Sequence, residues 1–306
     1  TRADKKQCRG RAGRIKGRGR PAWFAYGFFS FFTEKNMTMK SSDKAKAFLE
    51  APPSVKFPFF LPLAAILLPL PLFAAHPLIT ADTGTQGKGN VQIELTTEHG
   101  YEQEDGTREN TVSTNAAFTY GVHDNADVIL TLPHKRISSE AEDGSRTVNQ
   151  GQGDIGLDVK WRFYEKDKLS FALKPGLTMP TGDETKNLGA GRARYSLYLT
   201  TSYDAEPWEY HLYLGYIHNR NTLDQRDHLR HISVAVGRKL GENLKLVADY
   251  GTDTNTSKST NLDPEFFILG AIYNVRKGLD IDFGAKWSLT PPEVDFTWLG
   301  GIAFRF

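Results

Sequence analysis

The sequence predicts an all-β protein, a transmembrane antiparallel up-and-down β-barrel of about twelve strands with short periplasmic turns and longer extracellular loops. Three observations predict it. Apolar and polar residues alternate with a period of two over stretches of about ten residues, which repeat from residue 89 to the end. Long polar and short tight connections follow one another in turn. A segment with the layout of an export signal precedes all of these stretches.

The stretch Gly153–Tyr164, GDIGLDVKWRFY, shows the alternation most clearly, with an apolar set of Ile155, Leu157, Val159, Trp161 and Phe163. A soluble sandwich would bury this set and expose the interleaved charges to water. A transmembrane barrel does the reverse, because its outside meets lipid and its lumen is wet. A strand tilted by about 40° needs about ten residues to cross the hydrocarbon core, and repeated stretches of that length favour the barrel.

Charge is unevenly distributed. Residues 1–75 hold 14 of the 38 Lys and Arg residues and 4 of the 36 Asp and Glu residues, which leaves 24 basic and 32 acidic residues after them. Residues 1–36 begin without Met and show neither a helical nor a strand period. Two interpretations compete: a basic arm that binds nucleic acid or membranes, and upstream sequence translated ahead of a start at Met37 or Met39. We favour the second, and we expect no nucleic-acid partner.

Residues 37–75 have the three-part layout of a secretory signal peptide: several lysines, the apolar run Phe57–Phe73, and Ala74-Ala75. A transmembrane helix is the alternative, but four prolines interrupt a run that is barely long enough to span a membrane. We expect cleavage near Ala75, a short periplasmic lead over residues 76–88, and a barrel over residues 89–306. The only cysteine, Cys8, precedes the cleavage point, which excludes disulfides and thiolate metal sites from the mature protein.

The predicted strands follow from the alternation, and the turns between them from Asp, Asn, Gly and Pro residues. The strands are Asn90–His99, Val112–Val122, Asp127–Ile137, Gly153–Tyr164, Leu169–Pro180, Arg192–Tyr203, Trp208–Asn219, His228–Leu240, Leu244–Thr252, Pro264–Val275, Leu279–Leu289 and Asp295–Phe306. Tight turns are predicted at 123–126, 165–168, 204–207, 241–243 and 276–278. Longer polar loops are predicted at 100–110, 138–152, 181–191, 220–227, 253–263 and 290–294. A soluble sandwich does not require tight turns and long loops to alternate in this way.

Aromatic residues collect near the predicted strand ends. Such rings form girdles at the two membrane interfaces of a barrel, each ring half wet and half buried. The alternative is that they are core aromatics of a soluble β protein. The predicted girdle residues are Tyr120, Phe163, Tyr164, Tyr203, Trp208 and Tyr210 near the short turns, and Trp287, Phe296 and Trp298 near the long loops.

The charged residues that interleave with the apolar sets are candidates for the lumen wall. They could form a constriction that selects solutes, or they could pair across a narrow lumen and stiffen the wall. Both interpretations stay open on the sequence. The candidates are Asp154, Asp158, Lys160, Arg162, Lys174, Arg194, Lys245, Asp249, Asp280, Asp282 and Lys286.

Four features resemble a known family: the turn from Tyr120-Gly121-Val122 into Asp127-Val128, the GQGDIGL segment Gly151–Leu157, the KPGLTMPTGD segment Lys174–Asp183 and the terminal Phe306. The chain is similar over His76–Phe306 to the bacterial outer-membrane family named for a "putative MetA-pathway of phenol degradation", often called a transporter. The resemblance implies a Gram-negative outer-membrane barrel in contact with lipid and lipopolysaccharide. It also implies that Phe304 and Phe306 form a signal for the barrel-assembly machinery.

From this resemblance we expect a porin-like channel for passive uptake or efflux of small, hydrophobic or aromatic solutes. A non-conducting structural barrel is the alternative. A barrel-embedded lipid hydrolase is a second alternative, because outer-membrane phospholipase A uses a twelve-stranded barrel. It would need Ser, His and a third orienting group, and the nearest match is His218-Asn219 with no serine at a workable spacing. We therefore expect no enzyme activity and no cofactor.

Two acidic loop tips could in principle bind divalent cations, namely Glu104-Asp105-Gly106 and Glu142-Asp143-Gly144. An Asp-Gly pair is more often a turn, and neither loop has the spacing of a calcium site. The sequence therefore predicts no metal site.

Overall fold

The structure is a computed structural model that describes residues 76–104 and 106–306. The predictions for residues 1–36 and 37–75, an upstream segment and a signal peptide, lie outside the described residues. In the described part of the chain, no helix has the length and apolarity needed to cross a membrane. Its regular structure consists of strands and one 3-10 turn, Glu184–Lys186.

The strands follow the predicted order, with most ends within two residues of the predicted ones. They are β1 Val91–Glu104, β2 Thr107–His123, β3 Ala126–Glu140, β4 Arg146–Gln152, β5 Ile155–Lys166, β6 Leu169–Met179, β7 Arg194–Ala205, β8 Trp208–His218, β9 His228–Leu240, β10 Leu244–Asp253, β11 Glu265–Arg276, β12 Leu279–Ser288 and β13 Phe296–Arg305.

The sheet closes on itself. β3 pairs with β4 over His134–Glu140 and with β5 over Ala126–Thr131, so β4 and β5 are two parts of one barrel strand, interrupted at 153–154. Each of the other strands pairs with its neighbours in sequence, and β1 pairs with β13. This gives a closed antiparallel barrel of twelve strands, as predicted. Closure leaves no unpaired edge, which is what a sheet in lipid requires.

The faces of the barrel wall exclude a soluble sandwich. Leu157, Ile281 and Phe283 would be buried between two sheets of a sandwich, yet they are 39%, 43% and 58% exposed. The residues that alternate with such apolar side chains point inward. Asp280 on β12 and Asp249 on β10 are examples, at only 0% and 1% exposed. The apolar face is therefore the outer face, as expected for a wall that meets lipid.

The largest difference from the predicted boundaries lies in the first two hairpins. The predicted loops 100–110 and 138–152 are mostly strand, because pairing continues to Glu104–Thr107 and to Glu140–Arg146. These extensions project beyond the apolar band, where a hairpin needs no apolar face and its residues can be polar on both sides. The remaining connections alternate between short turns and long loops as predicted, and the long loops are at 180–193, 219–227, 254–264 and 289–295. Short turns face the periplasm in outer-membrane barrels, so the long loops mark the extracellular end.

All nine predicted girdle residues lie on the outer face, near the ends of their strands. Phe163 and Tyr164 are neighbours in sequence, and both are exposed, at 44% and 42%. This breaks the alternation. A bulge explains it, because Arg162 and Tyr164 oppose the consecutive residues Ala172 and Phe171, and the extra residue Phe163 also turns outward. Contact of these rings with lipid headgroups remains a prediction.

Candidate functional site: the barrel lumen

Residues 76–90 run through the lumen before β1 begins, and we call them the lumenal strap. The side chain of His76 contacts Asp282 on β12. The backbone N–H groups of Ile79 and Thr80 each donate to Oδ2 of Asp249 at 2.8 Å, and the Thr80 hydroxyl donates to Oδ1 at 2.7 Å. A single carboxylate on β10 therefore holds the first half of the strap through three hydrogen bonds.

The second half of the strap is held by the opposite wall. Lys160 on β5 donates to Asp82 at 3.0 Å. The hydroxyl of Thr83 lies 2.6 Å from that of Ser170 on β6, and its backbone N–H donates to Ser202 on β7 at 3.1 Å. Contacts that begin at β12 and end at β5 mean that the strap crosses the lumen from wall to wall.

The strap lies toward the periplasmic end. Near its end, the backbone N–H of Gln86 donates to the carboxylate of Asp127 at 3.1 Å, and that of Lys88 donates to Asp124 in the short turn at 124–125, also at 3.1 Å. Ser170 also lies one residue from a short turn. The interpretation of residues 76–88 as a periplasmic lead therefore needs correction. The threonine, aspartate and glutamine side chains of this segment find hydrogen-bond partners inside the barrel.

Three of the predicted lumen charges, Lys160, Asp249 and Asp282, thus bind the strap. Four more form ion pairs along the wall. Those pairs are Lys245–Glu209 at 2.7 Å, Asp280–Arg305 at 2.6 Å, Lys286–Glu293 at 2.7 Å and Arg162–Glu165 at 3.3 Å. Glu209, Glu293 and Arg305 were not among the predicted site residues. This arrangement favours the interpretation in which mixed charges brace the wall.

The Asp280–Arg305 pair is expected to be the most important of these for stability. Its side chains are 0% and 9% exposed, and Asp280 also accepts a hydrogen bond from Asn274 at 2.7 Å. Asp280→Asn leaves the buried guanidinium without its counter-charge, and we expect the free energy of unfolding to fall by on the order of 3 kcal/mol. Urea unfolding in detergent micelles measures this. Glu206→Gln, which removes the exposed Lys239–Glu206 pair, is the control and should change stability little.

Asp154 and Arg194 belong to the extracellular mouth. The Asp154 carboxylate accepts the backbone N–H groups of Gly182 at 3.0 Å and Ala190 at 2.8 Å, and the Arg194 guanidinium lies 3.5 Å from it. Asp154 is thereby an anchor that folds the 180–193 loop over the mouth. Its role differs from the predicted one, because its carboxylate is occupied by backbone donors.

The long loops are joined to one another above the mouth. The backbone N–H of Thr222 donates to Ala190 at 3.0 Å, and Lys258 pairs with Asp224 at 2.5 Å. Hydrogen bonds from the side chains of Lys186 and Thr185 hold the pKa of Asp183 down to about 2, so the cap of the 3-10 turn stays ionised at neutral pH. Beneath them lies a cavity of about 310 Å³, lined among others by Pro133, Lys135, Asp154, Leu188, Arg194, Leu223 and Gln225. We call this cavity the vestibule.

Four aromatic side chains form a row on the lumen wall, the lumenal aromatic row: Tyr198, Tyr213, His231 and Phe266. The rings of Tyr198 and Tyr213 stack with centroids 4.6 Å apart and planes 8° apart. The ring of His231 meets that of Tyr213 edge-on at 5.3 Å and lies nearly parallel to that of Phe266, with centroids 6.5 Å apart. The Lys174 ammonium lies 5.1 and 5.2 Å from the two tyrosine centroids, within cation–π range.

Two glycines let these rings lie flat against the wall. A Cβ at Gly215 would stand 2.4 Å from the ring of Tyr198, and one at Gly251 would stand 2.5 Å from that of Phe266. The aromatic row was not predicted. A signal was present in the sequence, because Tyr198 and Tyr213 fall in the parity opposite to the outward-facing tyrosines of the same strands.

Asp158 and Lys174 are the two remaining predicted lumen charges. Both are partly buried on the inner face of neighbouring strands, β5 and β6. Within residues 76–104 and 106–306, neither has an ion-pair partner within bonding distance. They are therefore the predicted charges best placed to interact with a solute.

A Ser–His–Asp arrangement also occurs in the lumen, although no serine at a workable spacing was recognised in the sequence. His231 contacts Ser233 through Nε2 and Asp253 through Nδ1, both at 2.8 Å. Ser233 is 1% exposed and lies 2.6 Å from the Thr80 hydroxyl of the strap. Ser233 lies within a strand paired on both sides, so the ladder uses its backbone groups and its own N–H is not available to form an oxyanion hole. This network therefore binds the strap.

The acidic tip Glu142-Asp143-Gly144 forms a turn, as expected. The Asp143 carboxylate accepts the backbone N–H of Ser145 at 2.9 Å, and Gly144 has a φ of 80°. Among the residues that the structure describes, no group of three or more His, Cys, Asp or Glu side chains is placed to hold a metal ion.

Comparison with known proteins agrees with this architecture. A family model described as "Putative MetA-pathway of phenol degradation" matches residues 77–306. Curated proteins gave no match. Among solved structures, an outer-membrane channel from Pseudomonas putida F1 has a TM-score of 0.60 at 16% identity and covers 74% of this chain and 98% of its own.

Two porins are also similar. The NanC porin has a TM-score of 0.47 at 10% identity and covers 69% of this chain and 98% of its own. The KdgM porin has a TM-score of 0.48 at 9% identity and covers 70% of this chain and 99% of its own. With the closed twelve-stranded wall, the likeness to the Pseudomonas putida channel shows the fold of an outer-membrane barrel, and the resemblance noted in the sequence is confirmed.

Proposed function

Because the chain belongs to the "Putative MetA-pathway of phenol degradation" family of outer-membrane barrels, we propose that it is a passive channel for small hydrophobic or aromatic solutes. The observation that carries this proposal is the lumenal aromatic row beside Lys174. Most of the lumen wall is polar, so a stack of rings with an adjacent cation is a distinct surface. It would contact the face of an aromatic solute, or an acidic group on one.

The proposed path begins at the vestibule, passes the aromatic row and ends at the lumenal strap. An aromatic pair contributes only about 0.5–1.5 kcal/mol beyond the area that it buries. Contacts of that strength retain a solute briefly and then release it, which passive conduction requires. Beside the strap, the lumen also carries an apolar cluster of Phe266, Ile268 and Leu299, which suits a weakly polar solute better than an ion.

Lys174→Glu tests this path. The change places a carboxylate beside Asp158 and two tyrosine rings, and we expect the ion selectivity of the channel to shift toward cations while the barrel stays folded. Reversal potentials in a planar bilayer measure the shift. Lys277→Glu makes the same charge change on an exposed short turn outside the lumen and should leave the selectivity unchanged. Equal shifts in the two variants would contradict a role for Lys174.

Reversal of Lys160 and Lys286 to Glu should also change ion selectivity or single-channel conductance. The effect of these variants is less direct to interpret, because Lys160→Glu would place a carboxylate beside Asp82 of the strap, and Lys286→Glu would place one beside Glu293 of the 289–295 loop. Any effect would then combine a change of lumen charge with a change of local packing.

A second candidate is a structural barrel without conductance, and the lumenal strap favours it. A segment fixed to both walls near the periplasmic mouth could close the lumen to everything but water. A wild-type protein that conducts nothing in a bilayer, and whose deletion leaves aromatic uptake unchanged, would support this candidate and refute transport.

We further propose that the partners are outer-membrane lipid, lipopolysaccharide and the barrel-assembly machinery, and that the chain has no catalytic activity. The burial of Ser233 beneath the strap supports the second point. Esterase assays on wild type and Ser233→Ala test it, and a serine-dependent activity would overturn it.

A further inference from the structure

Two arginines mark the edges of the lipid-facing surface on β9. Arg230 and Arg238 are both exposed on the outer face, with Ile232, Val234 and Val236 between them on that face. They are eight positions apart, or roughly 27 Å along a strand at about 3.4 Å per residue. After a tilt of about 40°, this is roughly 20 Å across the membrane, comparable with an apolar band about 25 Å tall. Each arginine therefore lies at a headgroup level, and Arg230 lies at the extracellular one.

A groove of about 570 Å³ opens beside Arg230 on the outside of the barrel. Its lining includes Tyr216, Arg226 and His228. Tyr216 pairs with Arg230 across the strands and is 46% exposed on the lipid face, while its hydroxyl lies 2.7 Å from Nδ1 of His228. The groove therefore combines an interfacial aromatic ring with basic groups at one depth.

The arginines of this groove differ in how they are held. The Arg226 guanidinium donates to the carbonyl of Ser257 at 3.0 Å, to that of Thr260 at 2.7 Å and to Oδ1 of Asn261 at 3.0 Å, so its position is fixed. The Arg230 guanidinium makes no hydrogen bond or ion pair with any residue in the described ranges. The Arg230 guanidinium is therefore available to bind an oxyanion of another molecule, beside the fixed guanidinium of Arg226.

We propose that this groove binds a phosphate of lipopolysaccharide in the outer leaflet. Asp263 is the carboxylate in its lining, and its Oδ1 accepts the backbone N–H of Asn255 at 2.9 Å. Two arginines against one aspartate leave the groove net positive even with His228 neutral. Phosphate is the oxyanion that lipid offers at this depth, and arginine binds it through paired N–H donors. The inference rests on the lipid partner proposed above and is independent of the solute.

Native mass spectrometry of the detergent-solubilised barrel, titrated with bis-phosphorylated lipid A, tests the site. We expect Arg230→Gln to weaken lipid A binding by about tenfold or more, the effect of one lost charge-assisted hydrogen bond. Arg238→Gln is the matched control, because it removes an outward arginine from the same strand at the periplasmic edge. It should leave the affinity unchanged. Migration of the unheated barrel on gels verifies that each variant is folded.

Two further arms identify the ligand. Lipid A stripped of its phosphates should bind wild type no better than the intact lipid binds Arg230→Gln. Phosphatidylglycerol should bind more weakly than lipid A. Any one of three results would overturn the proposal. Phosphatidylglycerol could bind wild type as tightly as lipid A does, the Arg230 and Arg238 variants could lose the same affinity for lipid A, or the stripped lipid could bind wild type as tightly as the intact lipid. Arg230 faces away from the lumen, so a failure of conductance in bilayers would count against the channel and leave this result unaffected.

Discussion

Deleting residues 79–86 from the lumenal strap is expected to raise the single-channel conductance several-fold. The deletion removes the partners of Asp249, Lys160 and Asp127, and the residues left cannot reach from β12 to β3. Water and ions would then occupy the space near the periplasmic mouth. Conductance of the purified protein in a planar bilayer, at one salt concentration for both proteins, measures the change.

The control is a deletion of equal length, residues 140–147, at the tip of the β3–β4 hairpin, which projects beyond the apolar band. It should leave the conductance nearly unchanged. A strap deletion that conducts no more than wild type would mean that the restriction lies elsewhere. The released lumen charges are solvated once the strap is gone, so the wall itself should stay folded.

Deleting Phe306 is expected to lower the amount of protein in the outer membrane strongly and to leave unassembled protein in the periplasm. Phe306 exchanges two backbone hydrogen bonds with Val91, at 2.9 and 3.1 Å, and its side chain is 73% exposed. The β1–β13 ladder continues for ten further pairs from Gln92–Arg305 to Tyr101–Phe296. A folded barrel that lacks Phe306 should therefore still be closed. We expect the deletion to impair the assembly of the barrel into the outer membrane.

Fractionation and immunoblotting measure the distribution of the Phe306 deletion between periplasm and outer membrane. Phe306→Tyr keeps an aromatic ring at the terminus and should insert normally. Unchanged insertion of the deletion variant would count against an assembly signal. A loss of stability in the assembled fraction, measured by urea, would indicate a structural role at the seam instead.

The wall of the barrel could be predicted from the sequence, because a period of two fixes which side chains meet lipid. Ile281 and Asp282 are adjacent, and their exposures of 43% and 8% follow from parity alone. The same parity pointed Lys160, Asp249 and Asp282 inward. What each charge contacts could not be predicted, since pairing depends on the stagger between strands and on a segment that has no period.

The strap could not be predicted from the sequence because its residues show no periodic pattern. Residues 76–88 carry no alternation, and glycine, threonine and proline in such a stretch are typical of a surface lead. Their hydrogen bonds inside the barrel become visible only in three dimensions. The partners of Asp154 are backbone N–H groups of the 180–193 loop, which sequence patterns do not reveal.

The strap also constrains the order in which this barrel can be made. Four of its side chains, those of His76, Thr80, Asp82 and Thr83, bind residues between 78 and 206 positions further along the chain. These are among the first described residues, and they end up enclosed by a wall whose last strand pairs with β1. Their partners include residues of β5, β6, β10 and β12, so the strap can dock only after these strands have come together. Contacts of such sequence separation slow folding, so we expect docking of the strap to be a late step in assembly.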